Sequence, residues 1–151
     1  MTPKAKQDDT LLTLFVNRWE EIGRKVTKLA DEFSEKKFEH RPVEGVRTFG
    51  EVLRHLAFWN QYVADTLRGK KADDSLNEVP LAEYPTKAQT VKVLERNSRA
   101  VLEALKERPG SLDSQTAEML TAFLEHACEH YGQLVVYARL AGITPPSSRA
   151  A

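Results

Sequence analysis

The stretch "FLEHACEHYGQLVVYARLAGI" carries two of the chain's four histidines, His126 and His130, four residues apart in a segment that otherwise reads as a buried helix. On a helix such residues differ by about 40° in direction and sit one turn above each other, so both imidazoles can offer a nitrogen to one point. A third histidine, His55 in "TFGEVLRHLAFWNQY", borders apolar residues of a second helical segment. Three neutral imidazoles converging from two helices would suit a divalent transition metal (zinc, nickel, copper or iron) and would leave coordination positions open for water or substrate. The plain alternative is a set of histidines satisfied by carbonyls or solvent, since the spacing by itself recurs by chance.

Direction around the helix refines the candidates. With Phe123 at zero and 100° per residue, Leu120, Ala127 and Leu134 fall between about 20° and 60°, His130 at about 340° and His126 at about 300°. The pair therefore flanks the core face and points toward a neighbouring helix. Gln133 and Tyr137 share the stripe and are candidates for contact with the site, whereas Cys128, at about 140°, points away from it. Glu51, one turn before His55, can orient that imidazole or act as a base, or it can cap its own helix. Trp59 and Tyr62 can wall a substrate pocket or fill the core. Asn97 and Ser98 interrupt an apolar face and either line a polar cavity or reach solvent. His40 lies in a loop before Pro42 and is expected at the surface.

These residues must be positioned by helices. Leu11, Phe15, Trp19, Ile22, Val26, Leu29 and Phe33 recur at steps of three and four, which predicts a first amphipathic helix from near Asp9 to about Lys36. "EHRPVEGVR" breaks the pattern, and "TFGE" reads as a capping box, Thr48 with Glu51, opening a second helix that fades at Gly69. The polar, aperiodic "KKADDSLNEVPLAEYP" that follows makes a loop of about 16 residues, against about 2–8 for usual helix connections. The second helix spans about 33 Å and an extended loop of that length reaches about 50 Å, enough to travel back along the bundle and set the second and third helices parallel. A second capping box, Thr86 with Gln89, opens the third helix, whose Val91, Leu94, Val101 and Leu105 share a face until Pro109 and Gly110. The fourth helix starts around Ser114 and ends at Gly142. No strand pattern or internal repeat is found. The expectation is an all-α fold, a four-helix bundle of helices of roughly 22 to 28 residues with a long connection between the second and third.

The totals narrow the function classes. At 151 residues the chain suits a single domain over residues 1–151 with one hydrophobic core. Lysine plus arginine and aspartate plus glutamate number 22 each and are interspersed, leaving no basic face for a phosphate backbone, so nucleic acid is not an expected partner. A lone cysteine forms no internal disulfide, the N-terminal "MTPKAKQDD" lacks the apolar core of a signal peptide, and no apolar run approaches the about 20 residues of a membrane span, so the chain reads as cytoplasmic.

"RPVEGVRTFGEVLRHLAFWNQY", followed about 60 residues later by "HACEHYGQLVVYARLAGITPP", resembles the DinB-like family, also called DinB/YfiT-like metalloenzymes. The resemblance implies an up-down-down-up bundle holding a divalent metal, often nickel or zinc, on one histidine of the second helix and the HxxxH pair of the fourth: His55, His126 and His130. The "HxGQ" portion also matches, at His130, Gly132 and Gln133. Relatives include S-transferases that use low-molecular-weight thiols such as bacillithiol or mycothiol, and a maleylpyruvate isomerase. The implied activity is a metal-dependent transfer of a thiol cosubstrate to a small electrophile, with a non-catalytic dimeric binding module carrying a structural or vestigial metal as the alternative. The resemblance also implies a homodimer, in keeping with a fourth helix that is apolar over much of its circumference.

Overall fold

The structure, a computed structural model, describes residues 10–150. Its helices are α1 (Thr10–Asp31), α2 (Glu35–Phe38), α3 (Phe49–Leu67), α4 (Lys87–Glu107) and α5 (Ser114–Leu140), followed by a 3-10 turn, Pro146–Ser148. Among the described residues there is no strand, and the four long helices pack as a bundle.

Local chemistry sets the helix starts. The Thr48 hydroxyl accepts from the Glu51 amide at 3.0 Å while the Glu51 carboxylate accepts from the Thr48 amide at 2.7 Å, satisfying two amides that a helix N-terminus leaves orphaned. Thr86 and Gln89 repeat the device at α4, and Asp113 caps α5 by accepting from Thr116 N at 2.8 Å. At the far end of α5, Gly142 takes a φ of 77° while Ile143 N donates back to Ala138 O, a turn that glycine adopts without a Cβ penalty.

The first helix departs from its expected length. Phe33 continues the apolar period and is buried, yet α1 stops at Asp31, and Ser34 caps the single turn α2 through the Lys37 amide. The break turns the chain across the end of the bundle, so that Phe33 and Phe38 both close on Phe49. The expected start near Asp9 lies outside the described residues. Leu11, expected in the core, is 40% exposed, and the adjacent Leu12 packs against the core in its place. α3, at 19 residues, falls short of the expected range.

Cross-helix contacts fix the topology. Lys87, opening α4, reaches the Phe33 carbonyl just past α1, so those two helices run antiparallel. Near the start of α3, Arg54 lies beside Thr90 near the start of α4; further along, Asn97 donates to the Ala57 carbonyl, and Arg68 pairs with Glu103 and Glu107 at the far ends. α3 and α4 are therefore parallel, and the long connection does travel back along the bundle. Tyr137 in α5 meets Arg47 just before α3, and Phe123 meets Tyr62, which makes that pair antiparallel. The order is up-down-down-up.

The core has two parts. Ile22, Val26, Leu29, Phe49, Leu53, Leu94 and Leu134 fill the end near α2, while Phe15, Trp19, Val63, Val101, Leu105 and Leu120 fill the other. Asn97 is 1% exposed, so it neither lines a polar cavity nor reaches solvent; its amide satisfies the Ala57 carbonyl across the helix interface. Ser98 borders a shallow groove with Gly23 and Thr27. A half-buried ion pair pins the α3 start: Arg54, with a side chain 2% exposed, holds both oxygens of the more exposed Glu39 at 2.7 and 2.9 Å.

Candidate metal centre

α3 carries His55 on the face turned toward α5, where one helical turn separates His126 from His130. Each offers a ring nitrogen, and these nitrogens all lie within 4.8 Å of one another. Nε2 of His55 stands 2.9 Å from Nε2 of His126, and the three ring centroids are mutually 4.6 to 4.9 Å apart. The cluster expected from two helices is assembled, and it can hold a metal ion.

Outer contacts decide which nitrogens face inward. Nδ1–H of His55 donates to the Asn77 carbonyl at 2.7 Å, leaving Nε2 with its lone pair toward the cluster. His130 is held likewise, its Nδ1 donating to Gln133 Oε1 at 2.9 Å. Gln133 then donates through its amide to the Tyr137 hydroxyl at 2.8 Å, and Tyr137 donates to the Arg47 carbonyl at 2.7 Å. This chain ties one imidazole to the backbone before α3. Such buttressing of the second ring nitrogen fixes tautomer and orientation, as histidine metal ligands require.

Burial pushes the His55 imidazole down from its ordinary 6.5 to about 4; the Asn77 carbonyl opposes that shift, and the positive Arg47 and the other two histidines add to it. His126 falls to about 4 for the same leading reason, with His130 and Arg47 contributing. Both rings are neutral at pH 7. Imidazole nitrogens facing a shared point, with the outer nitrogens of His55 and His130 buttressed, fit the donor set of a divalent transition metal.

Two clefts lie near the histidines, one lined by His55 and His126 themselves and the other linked to the cluster through Gln133, which bonds His130. One, of about 290 Å³, is lined by His55, His126, Trp59, Asn77, Ala122 and Phe123. Trp59 packs against Phe123 at 5.7 Å and Tyr62 at 5.2 Å between centroids, so the indole is both cleft wall and packing element, with Tyr62 half-buried behind it. The other cleft, of about 520 Å³, is lined by Arg41, Gly45, Val46, Arg47 and Gln133.

The remaining candidates separate clearly. Gln133 and Tyr137 join the cluster through hydrogen bonds. Glu51 spends its oxygens on the Thr48 amide and on Arg41 at 2.9 Å, as a helix cap rather than a partner of His55. Cys128 is exposed, as its direction predicts, and so is His40. Three site residues come from segments without helical period. Asn77 holds His55 by its carbonyl and Trp59 Nε1 by its side-chain oxygen at 2.9 Å, Glu78 accepts from Arg47 Nε at 2.7 Å, and Val79 N donates to the Arg54 carbonyl. Nothing in the loop's composition marks these positions; the one available signal was that so long a connection must lie somewhere along α3.

The sequence model of the DinB superfamily matches residues 18–134, a span that contains all three histidines. No curated protein matches the sequence. Among the described residues no helix is long and apolar enough to cross a membrane.

Proposed function

The chain belongs to the DinB superfamily, and from that premise we propose that it is a divalent-metal-dependent enzyme that joins a low-molecular-weight thiol to a small electrophile. The observation that carries this reading is the convergence of His55, His126 and His130, with the outward nitrogens of His55 and His130 engaged by Asn77 and Gln133. These three residues would hold zinc or nickel. When bound, such an ion lowers the pKa of a coordinated thiol or water and so furnishes an anionic nucleophile near neutral pH.

The chain's own residues supply the rest. Neutral ligands leave the charge of the ion uncompensated, which favours an anionic sulfur or oxygen beside it. Trp59 and Phe123 give the neighbouring cleft an apolar wall that excludes water and accepts the apolar body of an electrophile. The Asn77 carbonyl and the Gln133–Tyr137–Arg47 chain keep the imidazoles in place while the occupants of the open positions change. The exposed Cys128 has no part in this scheme.

A non-catalytic dimeric module with a structural metal is the competing reading. A structural zinc is closed by four protein ligands, whereas the cluster among the described residues has three members. The enzyme reading also takes the protein to be a homodimer: Val136 and Leu140 of α5 are 55% and 70% exposed, apolar side chains suited to a second copy, and sedimentation would give the association state.

The deciding experiment is metal content by mass spectrometry on tag-free protein beside a His126→Ala, His130→Ala double variant. About one ion per chain, lost in the variant while the helical circular dichroism survives, supports the site and justifies screening thiols against electrophiles. A wild-type chain that takes up neither zinc nor nickel on reconstitution overturns the enzyme reading.

A further inference from the structure

The basic cleft beside the cluster holds a charge with no role so far. Together with Gln133, whose side-chain oxygen holds His130, Arg47 lines this cleft. Only its Nε is engaged, by Glu78; the two terminal nitrogens carry no hydrogen bond among the described residues, and the side chain is 32% exposed. The residue is fixed at both ends. Its carbonyl takes the Tyr137 hydroxyl, and Glu78, adjacent to the Asn77 that orients His55, holds its Nε. The loop that sets the first imidazole thus also sets the guanidinium. Arg41, by contrast, is committed to Glu51 and the Val46 carbonyl, so it shapes the cleft without offering a free fork.

A fixed guanidinium with two free N–H edges matches a carboxylate in bidentate geometry, which lysine or a neutral donor does not. We infer that Arg47 is the specificity-determining residue of the histidine site and receives a carboxylate of the molecule whose sulfur or oxygen reaches the metal. This rests on the metal-dependent reading above and adds the substrate class: the thiol bears a carboxylate and lies in the Arg47–Gln133 cleft, while the electrophile occupies the apolar cleft of Trp59 and Phe123. Two occupants of opposite polarity then meet at the cluster from separate entrances. Glu78 balances Arg47 when the cleft is empty of anion and leaves the terminal nitrogens available.

The test uses cobalt(II)-loaded full chain and reads thiolate coordination through the sulfur-to-cobalt absorption band, independent of turnover. Two probes of matched length, 3-mercaptopropionate and 3-mercapto-1-propanol, are titrated into wild type, Arg47→Gln and Arg47→Lys. Wild type is expected to bind the carboxylate probe at least about tenfold more tightly than the alcohol, the range of one charge-assisted hydrogen bond or more. Arg47→Gln is expected to abolish the difference by weakening the carboxylate probe alone, and Arg47→Lys to restore part of it. Equal affinities in wild type, or a preference that survives Arg47→Gln, overturn the assignment while leaving the metal reading standing. A chain that takes up no cobalt shows no band with either thiol, which overturns the metal reading and this inference together.

Discussion

The backbone carbonyl of Asn77 lies 2.7 Å from Nδ1 of His55, so the tautomer of a helical imidazole is set by the main chain of a loop. The Asn77 side chain serves a separate neighbour, the Trp59 indole. Asn77→Ala removes the second contact and spares the first. It is expected to leave metal affinity unchanged while altering Trp59 fluorescence. Gln133→Leu takes the acceptor from His130 and is expected to weaken metal binding by about 10–100-fold with helicity intact. Competition against a chelator of known affinity distinguishes the two, and equal losses would contradict the assignment of main-chain and side-chain roles.

Glycines at two helical positions should respond to alanine with opposite signs. A Cβ on Gly50 would stand 2.5 Å from Glu39 Oε1 and 2.8 Å from Phe38 Cε1, whereas one on Gly132 meets nothing within 4 Å. Gly132→Ala is expected to gain about 0.5–1 kcal/mol from helix propensity. Gly50→Ala is expected to lose about 1–3 kcal/mol, because the Glu39–Arg54 pair must shift to admit the methyl. Urea unfolding of both variants reads the sign.

Removing Glu39 strands a charge. Arg54 is 2% exposed and Glu39 41%, so the pair is buried on one side only. Glu39→Ala is expected to cost about 2–4 kcal/mol, below the about 3–5 of fully buried pairs because water reaches the carboxylate. Adding Arg54→Met should recover much of the loss by removing the stranded guanidinium. A double variant no more stable than Glu39→Ala would show that the arginine matters through its other contacts.

Acid should destabilise the metal-free protein earlier than its carboxylates predict. His55 and His126 stand near 4 in the folded chain against an ordinary 6.5. Between those values the unfolded chain binds protons that the folded chain refuses, so stability is complete above about pH 6.5 and is lost as pH falls toward 4. Thermal midpoints from pH 7 to pH 4 should drop more steeply in wild type than in His126→Gln. Parallel curves would show that burial of that imidazole carries no penalty for protonation.

Much of the fold could be read from periodic features. The capping boxes at Thr48 and Thr86, the apolar stripes of the long helices and the length of the second connection all led to the observed topology. Periodicity also placed His55, His126 and His130 on facing stripes, since direction around a helix follows from residue number alone. It misled at Phe33, where the apolar step continues but the backbone does not: Ser34 supplies a competing cap, and the turn that follows brings Phe38 onto Phe49. Asn77, Glu78 and Arg47 escaped notice because a loop residue has no fixed neighbour in sequence. Asn77 acts through its carbonyl, a group every residue possesses. Residue type therefore carries no trace of that role.

Residues 77–79 have one further consequence, for the order in which the protein fails. They bind α3 and Arg47, two residues ahead of it, through four hydrogen bonds, to His55, Trp59, Arg47 and the Arg54 carbonyl, without belonging to any helix. Segments outside the packed core open at lower free energy than the whole molecule. Ageing, mild heat or a protease cut in the loop should therefore release any ion held by the three histidines while the bundle still stands, leaving a metal-free population that circular dichroism scores as native.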